Sequence, residues 1–297
     1  MRPTPFGVAA QTYGSAVLNR LRATAAARVQ RAALLAVAAG QQRSAPPDLA
    51  GTVEVSTTFA RLVLDERDEW ITPTLQATQG WEPGLTALLG ERIAPAMTVI
   101  DAGAHVGYFT CQAARLVGPR GLVLAFEPAP RNFELLTANV WRNGFSNVVC
   151  FPWALGATPG FGTLRLSASN TGDHRLHGGE GELITVRVAA LDEVLAIRGP
   201  VDVVKLDVQG SEHAAIRGME RLLAVSRSVL VAVELSPVDT RAAGTEPLEL
   251  LSYYRSLGFE LRVQLPDEKG LLELSDEETL AKATELEHVN LVLQRPA

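Results

Sequence analysis

Cysteine is nearly absent. Cys111 and Cys150 are the only two in 297 residues, and neither belongs to a CxxC pair or a His/Cys cluster. That excludes a disulfide scaffold and a structural zinc site, and both thiols fall in apolar stretches, as reduced core residues of a cytoplasmic protein do. Lysine is as scarce, at 3 against 24 arginines, and the net charge is −6 with a pI near 5.5. A general nucleic-acid binder carries a basic domain, so nucleic acid is not an expected partner. No membrane span is expected either. The longest apolar run of the N-terminal segment, Ala32–Ala39, is eight residues, where a bilayer needs about 20.

Charge divides the chain. Residues 1–47 hold six Arg and no acid, so this segment is +6 and the remainder −12. It is Ala-rich, and Ser15 to Gln42 has few helix breakers, which predicts a helix. The segment reads as a lid, a homodimer arm or a tail. An organelle transit peptide is the weaker reading beside the Arg and Ala bias of a high-GC bacterial genome. Residues 48–95 follow as a cap: a hairpin over Val53–Asp65, then a helix over Leu85–Ile93. From 96 to 297 strands and helices alternate, which demands a mainly parallel sheet covered on both faces.

The stretch Val99-Ile-Asp101-Ala-Gly103-Ala104-His105-Val-Gly107-Tyr108 reads as a buried strand ending in an acid, a glycine bend and a helix start. Glu127, twenty-six residues after Asp101, closes the next strand. Strand, glycine bend, helix and strand with a terminal carboxylate build a nucleoside pocket in α/β sheets, and Glu127 is set to take both ribose hydroxyls. The spacing is Asp101-x-Gly103-x-x-x-Gly107 rather than G-x-G-x-x-G, with a carboxylate where the first glycine of a dinucleotide site belongs. That acid repels a pyrophosphate and suits a cationic ligand, so the expected cofactor is S-adenosylmethionine rather than NAD.

Further strands are expected at Val148–Phe151, Val201–Asp207, Val229–Leu235, Phe259–Leu265 and Val289–Gln294, with helices over Tyr108–Val117, Pro130–Trp141, Ser211–Val225 and Pro247–Leu257. Ser275 and Glu278 form a capping box. Trp141 is expected in the core. Phe161–Leu166 and Ile184–Val188 flank a polar insert, Ser167–Glu182, long enough to be functional. Asp101, Glu127, Asp207 and Glu234 all end strands, and ligands in such sheets bind beyond those ends, so four acids on one rim mark one site.

With these residues stand Phe126-Glu127-Pro128-x-Pro130-x-Asn132-Phe133, Ala154-Leu155-Gly156, Lys205-Leu-Asp207-Val-Gln209-Gly210-Ser-Glu212 and His288-Val-Asn-Leu291. In this set the chain resembles the FkbM-type methyltransferases, class I enzymes that use S-adenosylmethionine, over roughly residues 52–295. The resemblance implies a Rossmann-like, seven-stranded, mainly parallel sheet with helices on both faces. It places the methionine part of the cofactor against Asp101, Gly103, Ala104 and Gly107, with His105 and Tyr108 in the same loop. Glu127 then binds the ribose beside Pro128 and Asn132, and adenine lies near Trp153 and Ala154. Two departures stand out. His105 replaces the usual Asn of the glycine bend, and Gln209 replaces the usual Glu after Asp207.

Such enzymes most often O-methylate a hydroxyl on a natural product or sugar, which makes a small-molecule hydroxyl acceptor the expected partner. The alternatives are N- or C-methylation, or a cofactor-binding subunit without activity. A hydroxyl nucleophile needs a base or a polarising metal. Asp207 is the first candidate base, with the N-cap of the following helix as its structural alternative; His174 in the insert is the second. Asp207 and Glu234 are the pair that would hold Mg²⁺ if the reaction used it. Lys205 is expected buried beside a carboxylate, and Trp81 and Glu82 either close over the cofactor or simply pack ahead of the first core strand.

Overall fold

The computed structural model describes residues 29–41, 49–167, 170–177, 181–194, 200–266 and 268–296. Seven strands form one sheet in the order β11-β12-β10-β9-β3-β4-β5. They are β3 (Thr98–Ala102), β4 (Leu122–Phe126), β5 (Val148–Phe151), β9 (Val203–Leu206), β10 (Leu230–Leu235), β11 (Glu260–Gln264) and β12 (Val289–Gln294). Only β12 runs against its neighbours. The order reverses between β3 and β9, so the crevice beyond their C-terminal ends is where a ligand fits.

Alternation along the strands feeds two cores. Ile100, Leu122, Leu124 and Phe126 point into one, and Val99, Val123 and Ala125 into the other. Helices α4 (Tyr108–Val117) and α5 (Pro130–Arg142) cover the second face with the hairpin of β1 (Thr52–Ser56) and β2 (Arg61–Asp65). Asn139 of α5, fully buried, joins these parts. Its side-chain amide donates to the carbonyls of Val63 (3.0 Å) and Val106 (2.7 Å) and accepts from Val63 N (2.6 Å). Trp141, two residues along, is 37% exposed rather than core, because Val140 and Leu136 take the inward face.

A helix at 29–41, α1, packs Ala38, Leu34 and Leu35 against the first core. Arg31 donates to Thr98 Oγ1 at the start of β3 and to the carbonyls of Ala96 and Arg120, just ahead of β3 and β4. Gln41 takes both backbone groups of Cys150 on the edge strand β5 (3.0 and 3.1 Å), which closes that edge. The remainder of the Arg-rich segment, 1–28 and 42–47, lies outside the described residues.

Two elements were not expected. Helix α2 (Ile71–Thr78) precedes α3 (Pro83–Arg92), and the helix expected over Ser211–Val225 is two: α7 (Glu212–Arg217) and α8 (Glu220–Val225). The break falls at Gly218, where a Cβ would stand 2.0 Å from Gly156 O, so α7 turns away to let that loop pass. β6 (Trp153–Leu155), β7 (Gly160–Leu166) and β8 (Glu182–Ala189) form a separate sheet carrying the insert. Among the described residues no helix is long and apolar enough to cross a membrane.

Candidate active site

The loop after β3 is wedged between two strand ends. Gly103 N and Ala104 N both donate to Phe126 O at 3.0 Å. At Gly103, φ is +72° and a Cβ would sit 1.7 Å from Asp207 O, so only glycine passes here. Lys205 on β9 completes the wedge with its Nζ 3.1 Å from Gly103 O.

Glu127 stands just past β4 and is fixed by backbone alone. Its Oε2 accepts from His105 N (2.8 Å) and its Oε1 from Ala129 N (2.9 Å). Burial pushes its pKa up to about 7. Asn132 beside it donates to Thr171 O at 2.8 Å, while its own Oδ1 is buried with no partner. His105 Nε2 meets Thr171 Oγ1 at 2.8 Å, and burial lowers this imidazole to about 4, so the ring is neutral. Thr171 in turn donates from its backbone (2.9 Å) and its hydroxyl to Asp68. Asp68 also caps α2 by accepting from the amides of Trp70 (3.0 Å), Ile71 (2.5 Å) and Thr72 (3.0 Å). Thr171 therefore ties the insert, the glycine loop and the cap helix together.

These parts enclose one cleft of about 860 Å³. Gly103, Ala104, His105, Tyr108, Glu127, Pro128, Asn132, Trp153, Ala154, His174, Asp207, Gln209 and Glu234 line it, so nearly all the residues named from sequence come together. Asp101 and Gly107 stand behind the wall. Asp101 accepts from Thr110 Oγ1 at 2.5 Å, and its other oxygen is 3.9 Å from Lys205 Nζ. Gly107 starts α4 at φ +89°, against Leu136. Trp153 packs on Phe151 (4.8 Å between centroids) and under Arg187, forming an apolar end wall.

The opposite end is acidic. Asp207 accepts from Lys205 Nζ at 3.0 Å and from Gln209 Nε2 at 2.8 Å. Burial alone would raise this carboxyl, but the adjoining ammonium outweighs it and holds Asp207 below the usual carboxylate range. Glu234 on β10 accepts from the same Gln209 nitrogen at 3.3 Å. Glu82, at the N-cap of α3, accepts from Trp81 Nε1 (3.0 Å) and from Asn290 Nδ2 (3.1 Å). Burial, and then the charge of Asp207, push both glutamates above their ordinary range. Four non-glycine residues in this wall, Glu82, His105, Gln209 and Glu287, hold positive φ (39, 50, 50 and 68°), out of six among the described residues. Strain of this kind concentrates at working sites.

Both groups named as bases from sequence are otherwise engaged. Asp207 has an oxygen on each of two donors, and Ser211 rather than Asp207 is the N-cap of α7. His174 Nδ1 accepts from Ser167 N at 3.0 Å, so the proton of the neutral ring sits on Nε2 and the side chain offers a donor. Asp207 and Glu234 do not fit a divalent cation, since the Gln209 amide donates between them and an ammonium sits on Asp207. Among the described residues no three metal-binding side chains are grouped to hold an ion. Sequence reasoning missed Asp68, Thr171 and α2, whose one signal was an Asp shortly ahead of a helix, and the His288 corner.

A seven-stranded sheet with one reversed strand next to its edge, and a carboxylate-ended crevice at the switch point, defines a class I methyltransferase fold. The Methyltransferase FkbM domain model matches residues 101–261, a little over half of the chain, and the protein belongs to that family. The matched segment is that family's methyltransferase domain. The chain is 27% identical over 158 residues to Methyltransferase sdnD of Sordaria araneosa, covering 41% of this chain and 60% of that one. It thus spans less than two thirds of that relative's length. Solved structures with some likeness include M. jannaschii TYW2 in complex with AdoMet (14% identity, TM-score 0.45, 83% of this chain and 87% of that one). An rRNA methylase from Streptococcus thermophilus is another (13%, TM-score 0.42, 72% and 95%).

Proposed function

We propose that this cleft binds S-adenosylmethionine along the β3–β4 rim and transfers its methyl group to a hydroxyl of a small natural product or sugar. The observation that carries the cofactor assignment is Glu127. Two backbone amides hold its carboxylate at a strand end, leaving lone pairs for a pair of ribose hydroxyls. The orphaned Asn132 Oδ1 fits the same ligand, because a buried acceptor without a partner calls for a donor. Gly103 and Ala104 supply close backbone approach, and Trp153 with Ala154 an apolar wall for a base.

The cofactor supplies an electrophilic methyl carbon on a positively charged sulfur. The protein's part is to orient the acceptor, exclude water and receive a proton. A cleft of about 860 Å³ is toward the upper end of small-molecule sites (roughly 300–1,000 Å³), which leaves room for an acceptor beside the cofactor. Trp70 and Ile71 of the cap line it with the acids Glu82, Asp207, Glu234 and Glu287. That lining suits a neutral or aminated polyol and disfavours phosphate, in keeping with a small molecule rather than nucleic acid.

Calorimetric titration with S-adenosylhomocysteine, with NAD alongside, tests the cofactor. Micromolar binding of the first alone is expected, and NAD binding, or binding of neither, refutes the assignment. A hydroxyl-acceptor screen with and without Mg²⁺ then tests the chemistry.

A further inference from the structure

Three carboxylates from three elements meet a single ammonium at the acidic end of the cleft. Asp207 follows β9, Glu234 is on β10, and Glu82 caps α3; Lys205 of β9 is the buried cation among them. Of the three, only Asp207 contacts that ammonium directly, and Asp101 behind the wall pairs with it at 3.9 Å. Glu82 and Glu234 are linked through the sheet, since Asn290, which bonds Glu82, is the cross-strand partner of Glu234. Glu234 has one oxygen on Gln209 and lines the cleft. Ser211 also lines the cleft, and its buried Oγ has no partner.

We propose that Glu234 receives the proton of the acceptor hydroxyl, and that the charge on the cofactor sulfur sets when it does so. This builds on the methyl transfer proposed above. The groups facing Glu234 are Asp207, Glu212 of α7 and Glu82, all anionic when ionised, and Lys205; His288 faces Glu82 and Asp207. Burial first, and then the charge of Asp207 with those of Glu212 and Glu82 where they ionise, holds Glu234 in its protonated form until another cation enters the cleft. The sulfonium is that cation, so Glu234 ionises as the methyl donor binds. In the transfer the acceptor oxygen bonds the methyl carbon, the carbon–sulfur bond breaks with its electron pair on sulfur, and the hydroxyl proton passes to the Glu234 carboxylate. Sulfur leaves neutral, the cation is gone, and Glu234 again favours its protonated form. The base is made ready by the methyl donor and reset by the reaction.

The test needs no acceptor. S-adenosylmethionine and S-adenosylhomocysteine are titrated calorimetrically at pH 7 into the full chain, in phosphate and in Tris, whose ionisation heats differ. The proton count for each ligand follows. Glu127 meets both ligands alike and cancels in their difference. The amino groups of the ligands titrate alike in wild type and Glu234→Gln, so they cancel between proteins. Wild type is expected to release on the order of half a proton more with the sulfonium ligand than Glu234→Gln does. Its preference for that ligand should also rise with pH, by at most about tenfold per pH unit, while the variant's stays flat. Glu82→Gln, which keeps Glu234 and removes one repelling acid, should show a reduced difference; it serves if Glu234→Gln does not fold. Equal counts in wild type and Glu234→Gln, or an unchanged count in Glu82→Gln, overturn the proposal while leaving the cofactor assignment standing. Binding of neither ligand overturns both.

Discussion

Replacing Glu127 with Gln keeps volume and removes one charge, and its consequences follow from two hydrogen bonds. The carboxylate accepts from His105 N at 2.8 Å and from Ala129 N at 2.9 Å. A glutamine has one carbonyl oxygen, so one of these amides faces an NH₂ group and loses its acceptor. The same exchange replaces an oxygen proposed to accept from the ribose by an NH₂ donor; a hydrogen bond to a charged group contributes about 1.5–3 kcal/mol, so S-adenosylhomocysteine should bind roughly 10- to 150-fold more weakly. The wild-type pH profile adds a sign. Burial raises Glu127 to about 7, and ribose hydroxyls bond best to the ionised form. Affinity should therefore climb about tenfold between pH 6 and pH 8 and then level, while Glu127→Gln stays flat. The stability sign is opposite. An acid whose pKa is raised on folding stabilises the native state below the ordinary carboxylate range, and about 3 kcal/mol of that is lost as pH rises to about 7. Glu127→Gln should lack that loss. Titration calorimetry and urea unfolding at three pH values measure both. An affinity within threefold of wild type at pH 8 would refute the ribose contact.

Gly103→Ala puts a Cβ 1.7 Å from Asp207 O at φ +72°, which should destabilise by about 2–5 kcal/mol in urea unfolding; a loss under about 1 kcal/mol would refute the wedge. Thr171→Val removes the hydroxyl bonded to Asp68 and His105, so about 1–3 kcal/mol of local stability should go and limited proteolysis within 170–177 should accelerate. Lys205→Met leaves Asp207 and Asp101 buried without their cation. That should destabilise by about 3–5 kcal/mol at pH 8 and less at pH 5, where the neighbouring acids are protonated more readily. An equal loss at both pH values would count against the ion cluster.

The sheet was legible because its signals are local. The helix over Tyr108–Val117 and the strand over Val289–Gln294 run as their apolar patterns predict, and the Ser275 capping box forms as its spacing predicts. Helix α2 was not legible, since Ile71-Thr-Pro-Thr-Leu-Gln-Ala-Thr contains three Thr and a Pro, all poor interior helix formers. It forms because Asp68 meets the amides of its first two residues and of the Trp70 before them at once. The acids at strand ends converge on one rim, as the alternating pattern implied. Which of them is free to act was hidden, because that depends on Lys205 and Gln209 bonding Asp207, and on Asn290 reaching Glu82 from 208 residues away.

The position of the family match within the cleft separates two kinds of residue. Glu127, Asn132 and Glu234, proposed above for cofactor and proton, lie inside residues 101–261 with Asp207 and Gln209, which bond at the acidic end. Trp70, Ile71, Trp81, Glu82, Glu287 and His288 lie outside it and still line the cleft. They come from the cap and from the turn before β12, held over the rim by Asp68–Thr171 on one side and Glu82–Asn290 on the other. Transfer of a methyl group demands the same electrophile and the same proton path for any hydroxyl, whereas the hydroxyl's carrier differs from enzyme to enzyme. On the function proposed above, the inner set serves the reaction and the outer set the acceptor. Glu82 belongs to both, because it repels Glu234 electrostatically while standing in the acceptor wall. A substitution there should alter acceptor choice and proton uptake together, and that coupling distinguishes it from its neighbour Trp70, which is 61% exposed at the same cleft and carries no charge to transmit.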